Sequence, residues 1–243
     1  MGFFNSLKDE FVRNFIEKGR WKSLFKGLGN TLLITLFAVI IGIAIGIIIA
    51  VIRTTYDKNA ETLKKNGGVK YRIMKVLNTL CNLYLTVVRG TPVVVQLMIF
   101  YFVIFTFVDN GLIIAILAFG LNSGAYVAEI FRGGIMSIDN GQFEAGRSLG
   151  FNYFQTMRYI VIPQVIKNVL PTLCNEFIVL LKETSVAGYV GIADLTKAGD
   201  LIRGATFSAF MPLIAVALIY LTVVVILTKL VKKLEMRLRR DER

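Results

Sequence analysis

Histidine is absent from this chain of 243 residues, and only two cysteines, Cys81 and Cys174, occur in it. Without an imidazole, histidine-based catalysis is excluded, and a Cys/His zinc site lacks its ligands. Both cysteines sit in apolar surroundings and read as small buried hydrophobes. Charge is scarce too: 18% of the residues are charged, against about 25% in an ordinary soluble domain. No G-x-x-x-x-G-K-[ST] run is present, so the chain has no P-loop with which to hold ATP. A secretory signal pattern is also missing, because the N-terminal stretch is charged and amphipathic and the first apolar run is too long for a signal core. No cofactor and no metal are expected. What abounds is apolar surface: 55% of the residues are hydrophobic and the mean hydropathy is +0.65. Long uncharged runs make this a polytopic membrane protein.

Five spans are expected, and the fold class is an all-α membrane protein, a five-span helical bundle. The first span covers about 31–52, 22 residues without a charge and long enough for a hydrocarbon core of about 30 Å. The apolar stretch 77–108 is too long for one straight crossing and is broken at Arg89-Gly90-Thr91-Pro92. Residues 77–88 are therefore a tilted or interfacial lead-in, and 91–108 is the second span. Asp109-Asn110-Gly111 turns the chain into the third span, 112–131. A charged loop, 132–164, leads to the fourth span, 165–181, and a polar connection leads to the fifth, 210–230. The chain divides into an amphipathic tail (1–26), a transmembrane domain (27–231) and a basic tail (232–243).

The net charge is +12, with 28 Lys and Arg against 16 Asp and Glu. The basic residues flank the apolar segments, which argues for topology and against nucleic acid as a partner. With the C-terminus inside, eighteen Lys and Arg face the cytoplasm and nine face outward. That balance predicts an outer N-terminus and a cytoplasmic C-terminus. The basic N-terminal tail is discordant, but Phe11, Val12, Phe15, Ile16 and Trp21 among its cations suit a helix lying in the bilayer interface.

The loop between the third and fourth spans carries the most specific pattern. Asp139 and Asn140 are N-cap candidates, with Gln142 three residues after Asp139. A short helix should run over 143–149 and stop at Gly150, which tolerates the left-handed conformation. A second helix should run from Asn152 to Pro163. Glu144-Ala145-Gly146, Gly150, Ile160 and Ile162-Pro163 follow the spacing E-A-A-x3-G-x9-I-x-L-P. This pattern resembles the signature of bacterial ABC importer permeases, with Gly146 for the second Ala and Ile162 for Leu. Three further segments resemble the polar amino acid branch of that family. They are Arg89-Gly90-Thr91-Pro92 with Gln96, Leu121 through Glu129 with Arg132-Gly133-Gly134, and Lys182-Glu183-Thr184-Ser185. Gly27 with Asn30-Thr31-Leu32 agrees more weakly.

The resemblance implies a type I ABC importer permease with a cytoplasmic coupling helix, resident in the bacterial cell (inner) membrane. Glu144, Ala145, Gly146 and Gly150 would receive force from ABC ATPase subunits, with small Ala145 and Gly146 admitting a partner surface. The implied partners are those ATPases, an identical or homologous permease, an external solute-binding protein and a polar amino acid as cargo. The chain itself would be no enzyme. An autonomous secondary amino acid transporter or channel is the alternative. It would need an inverted repeat or an acidic relay, and five spans give no even repeat.

Asn122, Tyr126 and Glu129 share one face of the third span. Polar groups there line a water path or hold helices together. Along a substrate path, Glu129 would accept the ammonium of a zwitterion, while Asn122, Ser123 and Tyr126 would meet its carboxylate. Glu176 in the fourth span joins them as an intramembrane carboxylate. Arg89 is either an interface anchor or a carboxylate clamp. Gly42 with Gly46, and Gly120 with Gly124, have the small-xxx-small spacing of close helix packing.

Overall fold

The computed structural model describes residues 2–66 and 68–240; the last three residues of the basic tail, 241–243, lie outside the described residues. Every regular element among the described residues is helical. Gly2–Phe11 (α1) passes through a wide turn, Val12–Ile16, into Trp21–Asn66 (α2) and then Val69–Gly90 (α3). Val93–Ile99 (α4) widens into Phe100–Ile104, and Gly111–Met136 (α5) follows. Asn140–Ser148 (α6) and Tyr153–Thr156 (α7) precede Ile162–Glu183 (α8), Leu195–Thr206 (α9) and Phe210–Arg240 (α10).

Among the described residues, four helices are long and apolar enough to cross a membrane, and five spans result if α3 and the α4 segment count as one bent pair. The expected spans 31–52, 112–131, 165–181 and 210–230 fall inside α2, α5, α8 and α10. The second expected span, 91–108, is different. Helical structure there covers only Val93–Ile104, about 18 Å at the helical rise and too short for a hydrocarbon core. The stretch expected as a lead-in belongs instead to the 22-residue α3. The break lies where it was expected. Thr91 is extended (φ −123°, ψ 148°), as the residue before a proline prefers.

The chain forms two compact units. One gathers Met1–Ala38, Val93–Phe119 and Phe177–Leu230. Its core packs Phe15 and Leu24 against Leu195, Ala198, Ile202 and Val216. The N-terminal tail thus does more than float on a surface: Asn14 is fully buried and accepts a 2.6 Å hydrogen bond from Thr206 Oγ1. Its neighbours Phe11 and Ile16 stay exposed, as an interfacial segment requires.

The other unit gathers Val39–Pro92, Gly120–Glu176 and Val231–Arg243. Here α2 and α5 meet through their glycines. A Cβ placed on Gly42 would lie 2.9 Å from Ser123 Oγ, and one on Gly46 would lie 2.5 Å from Val127 Cγ1. Only hydrogen fits, so the small-xxx-small spacing of Gly42 and Gly46 is a close helix crossing. A second cluster, Ile135, Ile138, Val161, Val165 and Val169, joins the end of α5 to the start of α8. It forms the base on which α6 rests.

Candidate functional site

The segment 139–164 is built by its caps. Asp139 caps α6, its Oδ1 accepting the Gly141 amide at 2.6 Å. Gly150, at φ +80°, ends the helix. The Phe151 amide reaches Gly146 O at 3.0 Å and the Gly150 amide reaches Arg147 O at 2.9 Å, the paired closure of a Schellman turn. The expected cap, the expected stop and the second helix start at Asn152 are all present. The capping box, however, is at Asn152 and Gln155, each side chain bonding the other's amide. Gln142 instead accepts from Gln164 Nε2 at 3.2 Å. Pro163 does not close the second helix either. The helix runs through the wide turn Met157–Val161 into α8 and on past it.

Glu144 and Ala145 point outward, whereas Gly146 is buried. A Cβ on Gly146 would lie 2.5 Å from Thr156 Oγ1. The close approach this glycine permits is therefore to α7 of the same chain, which corrects the expectation that it admits a partner. Beside Glu144, the segment exposes Leu149 (69%), Phe154 (82%) and Tyr159 (61%). Sequence reading passed over these three residues, since isolated apolar residues in a loop carry no periodic signal.

The polar face of α5 divides in two. Ser123 is fully buried and its Oγ lies 3.3 Å from Glu176 Oε1, while Asn122 is also buried. About two turns on, Glu129 is held by guanidinium groups. Arg53 Nη1 is 2.5 Å from Oε1, Arg132 Nη2 is 3.1 Å from Oε2, and Arg89 Nη1 is 3.8 Å from Oε1. Arg89 also lies over the Tyr126 ring at 5.8 Å. Glu129 is thus already engaged by three cations, a setting that sequence spacing did not indicate. The three cations exceed its single charge, so the cluster as a whole is suited to an anion.

Known proteins resemble this chain along most of its length. Residues 67–240 match the family described as "Binding-protein-dependent transport system inner membrane component". The chain belongs to that family. The glutamine transport system permease protein GlnP of Escherichia coli (strain K12) is 37% identical over 168 residues, covering 68% of this chain and 77% of that protein. The arginine transport system permease protein ArtQ of Bacillus subtilis (strain 168) is 39% identical over 166 residues, covering 67% and 76%. In the crystal structure of an amino acid ABC transporter with histidines, one chain superposes with a TM-score of 0.78 at 37% identity, covering 92% of this chain and 98% of that one. A chain of the inward-facing MetNI methionine ABC transporter gives a TM-score of 0.71 at 19% identity, covering 88% and 95%, a likeness of fold.

The permease also gives a physical reason for its weaker motif, Gly27 with Asn30-Thr31. Asn30 Nδ2 donates to Ala193 O at 2.8 Å, and Thr31 Oγ1 accepts the Leu195 amide at 3.1 Å. A Cβ on Gly27 would lie 2.7 Å from Asp194 O. The motif is a seat for the start of α9, whose cap is the fully buried Asp194. Burial pushes that carboxyl up, opposed by its hydrogen bonds to the Lys197 and Thr196 amides.

Proposed function

We propose that this permease is a subunit of an ABC importer for polar amino acids, with ATPase subunits docked on the Glu144 helix. The observation that carries this is the capped, outward-facing α6, with Glu144 and Ala145 exposed beside Leu149, Phe154 and Tyr159. Large apolar side chains exposed along one capped segment suit an interaction surface, and a charge on the same segment can orient the partner. ATP hydrolysis then resides on the docked subunits. A second permease, identical or homologous, completes the path, and an external solute-binding protein delivers the cargo. In this reading the N-terminus is outside and the C-terminus is cytoplasmic, in accord with the excess of Lys and Arg on the α6 side.

A pull-down from detergent tests the docking. Recovery of the ATPase by Glu144→Lys is expected to fall about tenfold or more, the size of a reversed charge at an interface. Equal recovery by both proteins would remove Glu144 from the docking surface.

For the cargo, we assign the carboxylate to Arg89. Its side chain is 45% exposed and it holds Glu129 only at 3.8 Å. Arg89→Gln is expected to raise the KM of uptake about tenfold, as loss of a charge-assisted hydrogen bond does. An unchanged KM would return Arg89 to the role of anchor. Asn122, Ser123 and Glu176 then line the deeper part of the path and hold its helices, while Tyr126 supports the Arg89 guanidinium.

A further inference from the structure

The helix that carries Glu144 is tied to the first span by a contact that no motif marks. Lys58, near the far end of α2, places Nζ 3.6 Å from the centroid of the Phe143 ring, well inside the limit of about 6 Å for a cation–π contact. Phe143 is only partly buried and packs against the cluster of Ile135, Ile138, Val161, Val165 and Val169. The ring is thus pressed onto the α5–α8 base and capped by an ammonium from α2. Its neighbour Gln142 accepts from Gln164 on α8, and Gly146 closes on Thr156 of α7. Short loops already join α6 covalently to α5 and α7, whereas α2 is distant in sequence and meets it through Lys58. A lever moves the spans it is fixed to, and cation–π attraction to a ring held on its other side resists both sliding and separation.

We propose that Lys58 is a positioning residue that transmits the movement of the Glu144 helix to the first span through the Phe143 ring. The inference rests on the docking reading above, and it concerns what lies behind the docking surface. Phe143 faces inward, so its loss leaves the exposed surface of α6 in place.

The test uses the assembled importer, permease with its ATPase and binding protein, in liposomes. Radiolabelled L-glutamine and L-arginine uptake and ATP hydrolysis are measured in the same vesicles. Lys58→Leu is expected to retain wild-type ATPase co-purification while uptake per ATP hydrolysed falls about fivefold, the scale of one partly desolvated cation–π contact. Lys58→Arg, which keeps a cation over the ring, is expected to hold the wild-type ratio. Phe143→Leu is expected to match Lys58→Leu, and the double variant to be no worse than either. An unchanged ratio in Lys58→Leu would overturn the proposal, as would single effects that multiply in the double variant. Loss of the ATPase from Lys58→Leu would overturn it as well, because Lys58 would then act in docking. The two readings fail separately: retention of the ATPase by Glu144→Lys sinks the docking surface, whereas an unchanged ratio in Lys58→Leu sinks only the transmission role.

Discussion

Glu129→Leu is expected to destabilise the purified permease by about 2 kcal/mol, below the cost of breaking a fully buried ion pair because Arg53 and Glu129 keep 17% and 24% exposure. The size follows from what remains. Arg53, Arg89 and Arg132 converge on one carboxylate, and only Arg53, at 17% exposure, is well withdrawn from solvent. Arg53 Nε is also buried, with no hydrogen-bond partner among the described residues, so that guanidinium depends on Glu129 for much of its compensation. Arg89 and Arg132, 45% and 32% exposed, are screened and contribute less. Thermal unfolding in detergent checks this. Glu129→Gln, which keeps an acceptor but no charge, should melt between wild type and Glu129→Leu. Adding Arg53→Met to Glu129→Leu should restore part of the loss, because the stranded, half-buried cation is gone. A Glu129→Leu protein that melts with wild type would show that the three cations are fully solvated.

The cluster also shows where the sequence was legible and where it was not. The spans in α2, α5, α8 and α10 were readable because uncharged apolar runs of bilayer length rarely form anything but a membrane helix. The ends of α6 were readable because Asp139 and Gly150 fix backbone geometry locally. Glu129 was readable as a polar residue on one face of α5, but its ion pairs were not, since Arg53 and Arg89 come from helices distant in sequence. No spacing rule reveals that pairing. The second span failed for a different reason. Hydropathy weighs 77–88 and 91–108 alike, whereas Pro92 assigns the long helix to the first of them, residues 69–90. Gly146 was recognised as small and given the wrong neighbour, because size alone does not say which surface approaches.

Two glycines in one turn of α2 provide the sharpest test of packing. Gly27→Ala is expected to destabilise the permease by about 2 kcal/mol, as overpacking a close contact does. The added Cβ would lie 2.7 Å from Asp194 O and 2.9 Å from Ala198 Cβ. The first neighbour is backbone, so relief requires α9 to shift as a body. That shift pulls on the Leu195 amide bonded to Thr31 and on the Asp194 cap of Thr196 and Lys197. Gly29, two residues on, meets nothing within 4 Å of a Cβ. There the same substitution only removes glycine's backbone freedom, and Gly29→Ala should stabilise by up to about 1 kcal/mol. Unfolding temperatures should therefore move in opposite directions. Hydrogen exchange at the amides of Leu195, Thr196 and Lys197 should quicken in Gly27→Ala and stay at the wild-type rate in Gly29→Ala. Equal melting of the two variants would mean that α9 yields freely, and the Gly27-Asn30-Thr31 seat would then lose its structural role.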